Sequence, residues 1–158
     1  MEKVYLDRTE IPGNTAFIFR NAEPVNVGAT VYAMSVREKN EEYRRYADEF
    51  DIRFIFSDEI PEVTFFTVPQ VDVFAMDSEG GYLGSVGSFF DSENPVCYID
   101  LQGNCYHVSA SAEALFANSL DWKKRMQPCK EIEIFRSKEL AKQKYALFGK
   151  DAWEKLKK

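Results

Sequence analysis

Few side chains in this sequence have the types and spacing that chemistry requires. His107 is the only histidine, and imidazole is the most frequent general base. It stands between Tyr106 and Val108 in a stretch with strand character. No Ser or Cys motif around it forms a nucleophile elbow or a papain-like signature. The enzymatic reading is therefore a small hydrolase using His107 with nearby carboxylates; the plainer one is a structural strand histidine. The cysteines are Cys97, Cys105 and Cys129, an odd number without CxxC spacing. That spacing argues against a disulfide framework and against a zinc site. Cys97 and Cys105 are placed to face each other across a hairpin, as small half-buried side chains.

Residues 80–87 read GGYLGSVG, a glycine density that raises the question of a phosphate cradle. A P-loop needs a lysine after its last glycine, and a dinucleotide fingerprint needs a helix to follow. Here no lysine follows, and 88–95 reads as another loop. The glycines then serve the backbone: Gly80 and Gly81 at a hairpin turn, Gly84 and Gly87 at bulges or close approaches. Carboxylates gather at Asp77, Glu79, Asp91, Glu93 and Asp100, but Asp77-Ser78-Glu79-Gly80 does not match an EF-hand loop. Aspartate is also favoured in turns for its local hydrogen bonds. The expectation is turn chemistry on an acidic rim, with no metal and no cofactor. A glycosidase pair is defined by separation in space and stays open at this stage.

The elements that must carry these residues centre on 71–108. Two strand–turn–strand patterns follow each other there: 71–76, a turn at 77–81 and 82–86; then 96–100, a turn at 101–103 and 104–108. Before them the pattern predicts strands at 3–6, 16–20, 52–56 and 63–68, and a β-rich run at 25–34 broken by Gly28. A helix is predicted over 37–50, where Tyr43, Tyr46, Ala47 and Phe50 recur at the helical period. A second is predicted over 109–125, capped by Ser109 or Ser111, with Ala112, Leu115, Phe116, Ser119 and Leu120 inward. A late strand at 131–135 and a helix from Ser137, with Leu140, Ala141, Tyr145 and Phe148 inward, close the pattern. A helical tail follows at 151–158. One α+β domain of 158 residues is the expectation.

Aromatic residues make up 15% of the chain, with 13 Phe and 8 Tyr. They imply a Phe-rich core under a sheet or an exposed aromatic patch that binds a partner. The net charge of −6 and pI near 4.9 exclude the basic surface that nucleic-acid binding needs, since Lys and Arg cluster only near the C-terminal end. No run approaches a membrane span, and charges begin at the second residue, so neither a transmembrane helix nor a signal peptide is expected. The cytoplasm is the expected compartment.

Residues 60–120 resemble the SUKH superfamily. The carrying features are Ile60-Pro61-Glu62, Phe74-Ala75-Met76-Asp77 running into Ser78-Glu79-Gly80-Gly81, and Pro95-Val96-Cys97-Tyr98-Ile99-Asp100. They continue through Gln102-Gly103, Cys105-Tyr106-His107-Val108 and a helix with Leu115-Phe116. The resemblance implies a curved, mainly antiparallel central sheet flanked by helices. It also implies a bacterial immunity-type protein, which binds and neutralises a toxin without catalytic residues. On that expectation Asp77, Glu79, Asp91, Glu93 and Asp100 offer charge to a basic toxin domain, and Tyr82 and Phe90 are aromatic anchors. A module that binds a small ligand in the sheet is the third reading; oligomeric state is not legible.

Overall fold

The structure is a computed structural model that describes residues 2–11, 19–91 and 93–156. The predicted strand at 16–20 lies, but for its last two residues, outside them. Chain order begins β1 (Glu2–Asp7), β2 (Ala22–Val27), β3 (Ala29–Val31), α1 (Glu41–Phe50), β4 (Arg53–Phe54), β5 (Phe66–Val68), β6 (Val71–Met76) and β7 (Tyr82–Val86). It continues with β8 (Val96–Ile99), β9 (Cys105–Ser109), α2 (Ala112–Ala117), β10 (Gln127–Pro128), β11 (Glu133–Phe135), α3 (Lys138–Lys142), β12 (Leu147–Phe148) and α4 (Lys150–Leu156). Two 3-10 turns, Val36–Glu38 and Trp122–Arg125, complete the helical parts. The fold is α+β.

The main sheet runs β10-β9-β8-β7-β6-β3, antiparallel except for the β3–β6 pair. The free edge of β6 is shared: β3 lies parallel along Val71–Val73, and β4 lies antiparallel against Ala75 and Met76. Between Val73 and Ala75 the register with β7 shifts, as a β-bulge does. The sheet is covered on both faces, which explains why β8 reads as an unbroken apolar run and β6 as one interrupted only by Asp72. Alternation along β8 sends Val96 and Tyr98 to one core, with Phe74, Leu83, Leu115 and Trp122. It sends Cys97 and Ile99 to the other, with Val71, Val73 and Ile132.

A second assembly joins the two ends of the described chain. β1 lies between β2 and β12, parallel to both, with Tyr5 opposite Leu147 and Leu6 opposite Phe148. β11 pairs with β5, not with the main sheet. Val27, Phe66, Val68 and Ala141 form the core beneath. The run 25–34 changes sheets at Gly28, whose φ of +104° is open to glycine at little cost. Its N–H donates to the Thr67 carbonyl at 2.7 Å.

Three predicted helices are shorter than their periodicity implies. α1 begins at Glu41 because the Asn40 side chain accepts from the N–H of Glu42 and Tyr43, while Ser35 caps a separate 3-10 turn. The predicted helix 109–125 ends at Ala117. Asp121 takes a left-handed φ of +57°, and Trp122–Arg125 form a 3-10 turn that buries the indole. Leu120, expected inward, is exposed. The helix expected from Ser137 ends at Lys142; Leu140 is exposed and Phe148 lies on β12 instead.

Candidate functional site

The antiparallel β7–β8 pair divides the predicted acidic residues between two ends of the sheet. The 77–81 and 100–104 turns lie at one end, and the 87–95 loop lies at the other. No single acidic rim exists.

At the first end Asp77 is a staple, which corrects its expected role as an exposed contact. Its side chain is 0% exposed. Oδ1 accepts from the N–H of Gly81 at 2.8 Å and of Glu79 at 3.2 Å. Oδ2 accepts from the Tyr98 hydroxyl at 2.7 Å and lies 3.0 Å from Lys123 Nζ. The position of a Cβ on Gly81 falls 2.1 Å from that hydroxyl, so only glycine fits there. Burial, then the Asp77 carboxylate, push the Tyr98 hydroxyl above the usual phenol range, which keeps it a donor. Asp100 accepts from the N–H of Gln102 and Asn104 at 3.0 and 2.9 Å, an Asx turn within the hairpin. Tyr82 is half-buried, edge-on to Phe65 at 5.5 Å, and serves the second core. Of the residues predicted at this end, Glu79 is the exposed one.

Asp51 ties α1 to the same turn. It follows the helix in the left-handed conformation and accepts from the Ser78 N–H at 2.9 Å, the Ser78 hydroxyl at 2.7 Å and Lys123 at 2.7 Å. Burial raises its pKa, but the bonds from Lys123 and Ser78 outweigh it and leave the carboxyl below its ordinary 3.8. Burial likewise opposes the charge on Lys123, and Asp51 and Asp77 prevail, holding it above 10.5. The lowered Asp51 contributes stability above pH 3.8 that is lost as pH falls through its folded value. The raised Lys123 contributes stability below pH 10.5 that is lost as pH rises through its own. Urea midpoints should therefore fall at both extremes, and Lys123→Met should flatten the alkaline limb. An unchanged alkaline limb in that variant rules the assignment out.

At the second end the 87–95 loop is pinned from below. Asp72, buried inside the apolar run of β6, accepts from the Thr30 hydroxyl and the Phe89 N–H, both at 2.9 Å. Burial pushes its carboxyl up, against the pull of those two donors. The Asn94 amide donates to the Ser88 carbonyl at 3.0 Å, and the Gly87 N–H donates to the Gln70 carbonyl at 2.9 Å. Phe89 turns in and stacks on Phe74 with centroids 4.5 Å apart. Phe90 turns out: it is 81% exposed and touches Tyr32 edge-on at 4.9 Å. Asp91 and Glu93 are exposed beside it, and Asp91 accepts from the Glu93 N–H at 3.1 Å.

Sequence reasoning missed Tyr32 and Asp72. The signal for Asp72 was present as a lone carboxylate within VDVFAM; nothing local marks Tyr32. His107 is exposed on β9, opposite Cys97 on one side and Gln127 on the other. An open groove of about 680 Å³ lies between α1 and β4, with Tyr43, Phe54 and Phe56 at its base and Lys39, Arg44 and Asp58 among its lining. Among the described residues no group of three or more His, Cys, Asp or Glu is placed to hold a metal, and no helix is long and apolar enough to cross a membrane. Comparison of the chain with protein-family models, curated proteins and solved structures gave no match.

Proposed function

We propose that the chain is a non-enzymatic protein-binding domain of the SUKH-like immunity type, acting in the cytoplasm on a partner with a basic face, such as a toxin domain. The observation that carries this reading is Phe90, 81% exposed on a loop whose backbone a buried aspartate holds. A large apolar side chain left in water on a pinned loop is a preorganised anchor, since little ordering remains to be done on binding. Asp91 and Glu93 supply a charged border around it, which steers a cationic partner and fixes its register. Glu79 and Asp100, at the far end of the sheet, lie outside this site.

Candidate basic toxin domains titrated calorimetrically against the purified chain test the reading. Phe90→Ala should weaken binding by about 2 kcal/mol, roughly thirtyfold. Reversing both charges, Asp91→Lys with Glu93→Lys, should slow association and remove most of its salt dependence. Glu79→Lys should change neither. Affinity unaltered by the Phe90 and charge variants would discard this surface.

A further inference from the structure

The second face of the main sheet gathers all three cysteines. Cys97 and Cys105 lie diagonally across the β8–β9 pair, opposite His107 and Ile99 respectively. The β9–β10 register, Gln127 against His107 and Pro128 against Tyr106, continues to place Cys129 against Cys105. The Cys129 N–H donates to the Cys105 carbonyl at 3.0 Å. Residues directly opposite each other in an antiparallel pair have Cα atoms about 4.5–5.5 Å apart, inside the window of about 4.4–6.8 Å that a disulfide spans. All three thiols are free. Cys105 and Cys129 both line an open groove of about 450 Å³, with Gly103, Pro128 and Ile132 among its walls. Cys97 is 1% exposed and does not line it. The Cys129 thiol donates to Glu131 Oε2 at 3.1 Å.

We propose that Cys105 and Cys129 form a peroxide-reactive dithiol site, in which Cys105 is oxidised first and Cys129 then closes a disulfide with it. In the first step the Cys105 sulfur attacks one oxygen of a hydroperoxide and the O–O bond breaks. The other oxygen leaves with the thiol proton as water or alcohol. Cys105 becomes a sulfenic acid and the peroxide is reduced. In the second step the Cys129 sulfur attacks the Cys105 sulfur, the S–O bond breaks, and the hydroxyl leaves with the Cys129 proton as water.

The division of labour follows from what surrounds each sulfur. The neighbouring Cys97 thiol, and then the Cys129 thiol, draw Cys105 below the usual thiol range against its own burial. More thiolate means faster attack on peroxide. Burial, then the Glu131 carboxylate, push Cys129 up to about 11, so it waits as the protonated partner. The neighbouring Cys105 thiol, then burial, push Cys97 well above the usual thiol range. This site lies at the end of the sheet away from Phe90 and does not rest on the binding reading.

Folded protein exposed to hydrogen peroxide, alkylated under denaturing conditions and mapped by mass spectrometry tests the site without any substitution. The expected product has lost two hydrogens, links the Cys105 and Cys129 peptides and leaves Cys97 open to alkylation. It should form at least about tenfold faster than in chain unfolded in urea, where the pair is not held together. In Cys129→Ser, dimedone should trap a sulfenic acid on Cys105. A link through Cys97, a rate equal to that of the unfolded chain, or a dimedone adduct at Cys129 in Cys105→Ser with none at Cys105 in Cys129→Ser overturns the proposal.

Discussion

Asp77→Ala is expected to lower the unfolding free energy by about 3–5 kcal/mol, the range for removing one partner from a buried ionic and hydrogen-bonded set. The carboxylate accepts from two turn amides and one phenol and faces one ammonium, at 0% side-chain exposure. Alanine leaves the Tyr98 hydroxyl without its acceptor inside the core. It also takes one of the two carboxylates from Lys123, which keeps Asp51. Asp77→Asn is the informative companion, because its side-chain carbonyl still accepts from the turn amides; it should lose less than Asp77→Ala. Urea unfolding at neutral pH reads both, with the slope unchanged. A loss below ~1 kcal/mol for Asp77→Ala would mean that the turn holds without its staple.

Trp122→Ala is expected to cost a similar amount, about 3–5 kcal/mol, for a different reason. The indole is 1% exposed and lies against Tyr98 at 5.5 Å, so its removal opens a large cavity in the first core. Its N–H also donates at 2.6 Å to the Phe50 carbonyl, in the last turn of α1. Carbonyls there lack a partner within the helix, and Trp122 supplies one. Trp122→Phe fills most of the space but donates nothing, so its own loss reads chiefly the capping bond, and the difference between the two variants reads the volume. The Trp122→Phe loss should be about 1 kcal/mol, and the remainder of the Trp122→Ala loss is the cost of the cavity. Equal losses in the two variants would assign the whole effect to the bond and none to the volume.

How much of this was legible depended on whether the deciding contacts were local. The four strands from Val71 to Ser109 were readable because alternating or continuous apolar runs and turn residues act within a few positions. The inward face of α1 was readable for the same reason: Tyr43 and Tyr46 do meet Phe54. The 109–125 helix was overdrawn because its period persists through Leu120. The backbone reversal at Asp121 is set by the pocket waiting for Trp122, which no local pattern encodes. The candidate site divided likewise. Phe90, Asp91 and Glu93 were named from the sequence and stand together on one loop. Asp77 was named for its charge, and its burial depends on Tyr98 and Lys123, both distant in the chain. The meeting of Cys129 with Cys105 depends on β10, two residues long and ending in a proline, which carries almost no strand signal.

The pairing of Tyr5 with Leu147 bears on the order in which this protein is made. As the chain leaves the ribosome, β1 and β2 emerge early and can pair, yet the other edge of β1 has no partner until Leu147 and Phe148 follow. The entropic cost of closing so long a loop grows only slowly with its length, so the final pairing is thermodynamically accessible. The interval before it is the exposed moment. An open strand edge is a template for a neighbouring chain, and on a crowded polysome the nearest neighbours carry the same sequence. Slow translation of the last elements, or arrest short of residue 147, therefore prolongs a state in which β1 can pair between nascent chains.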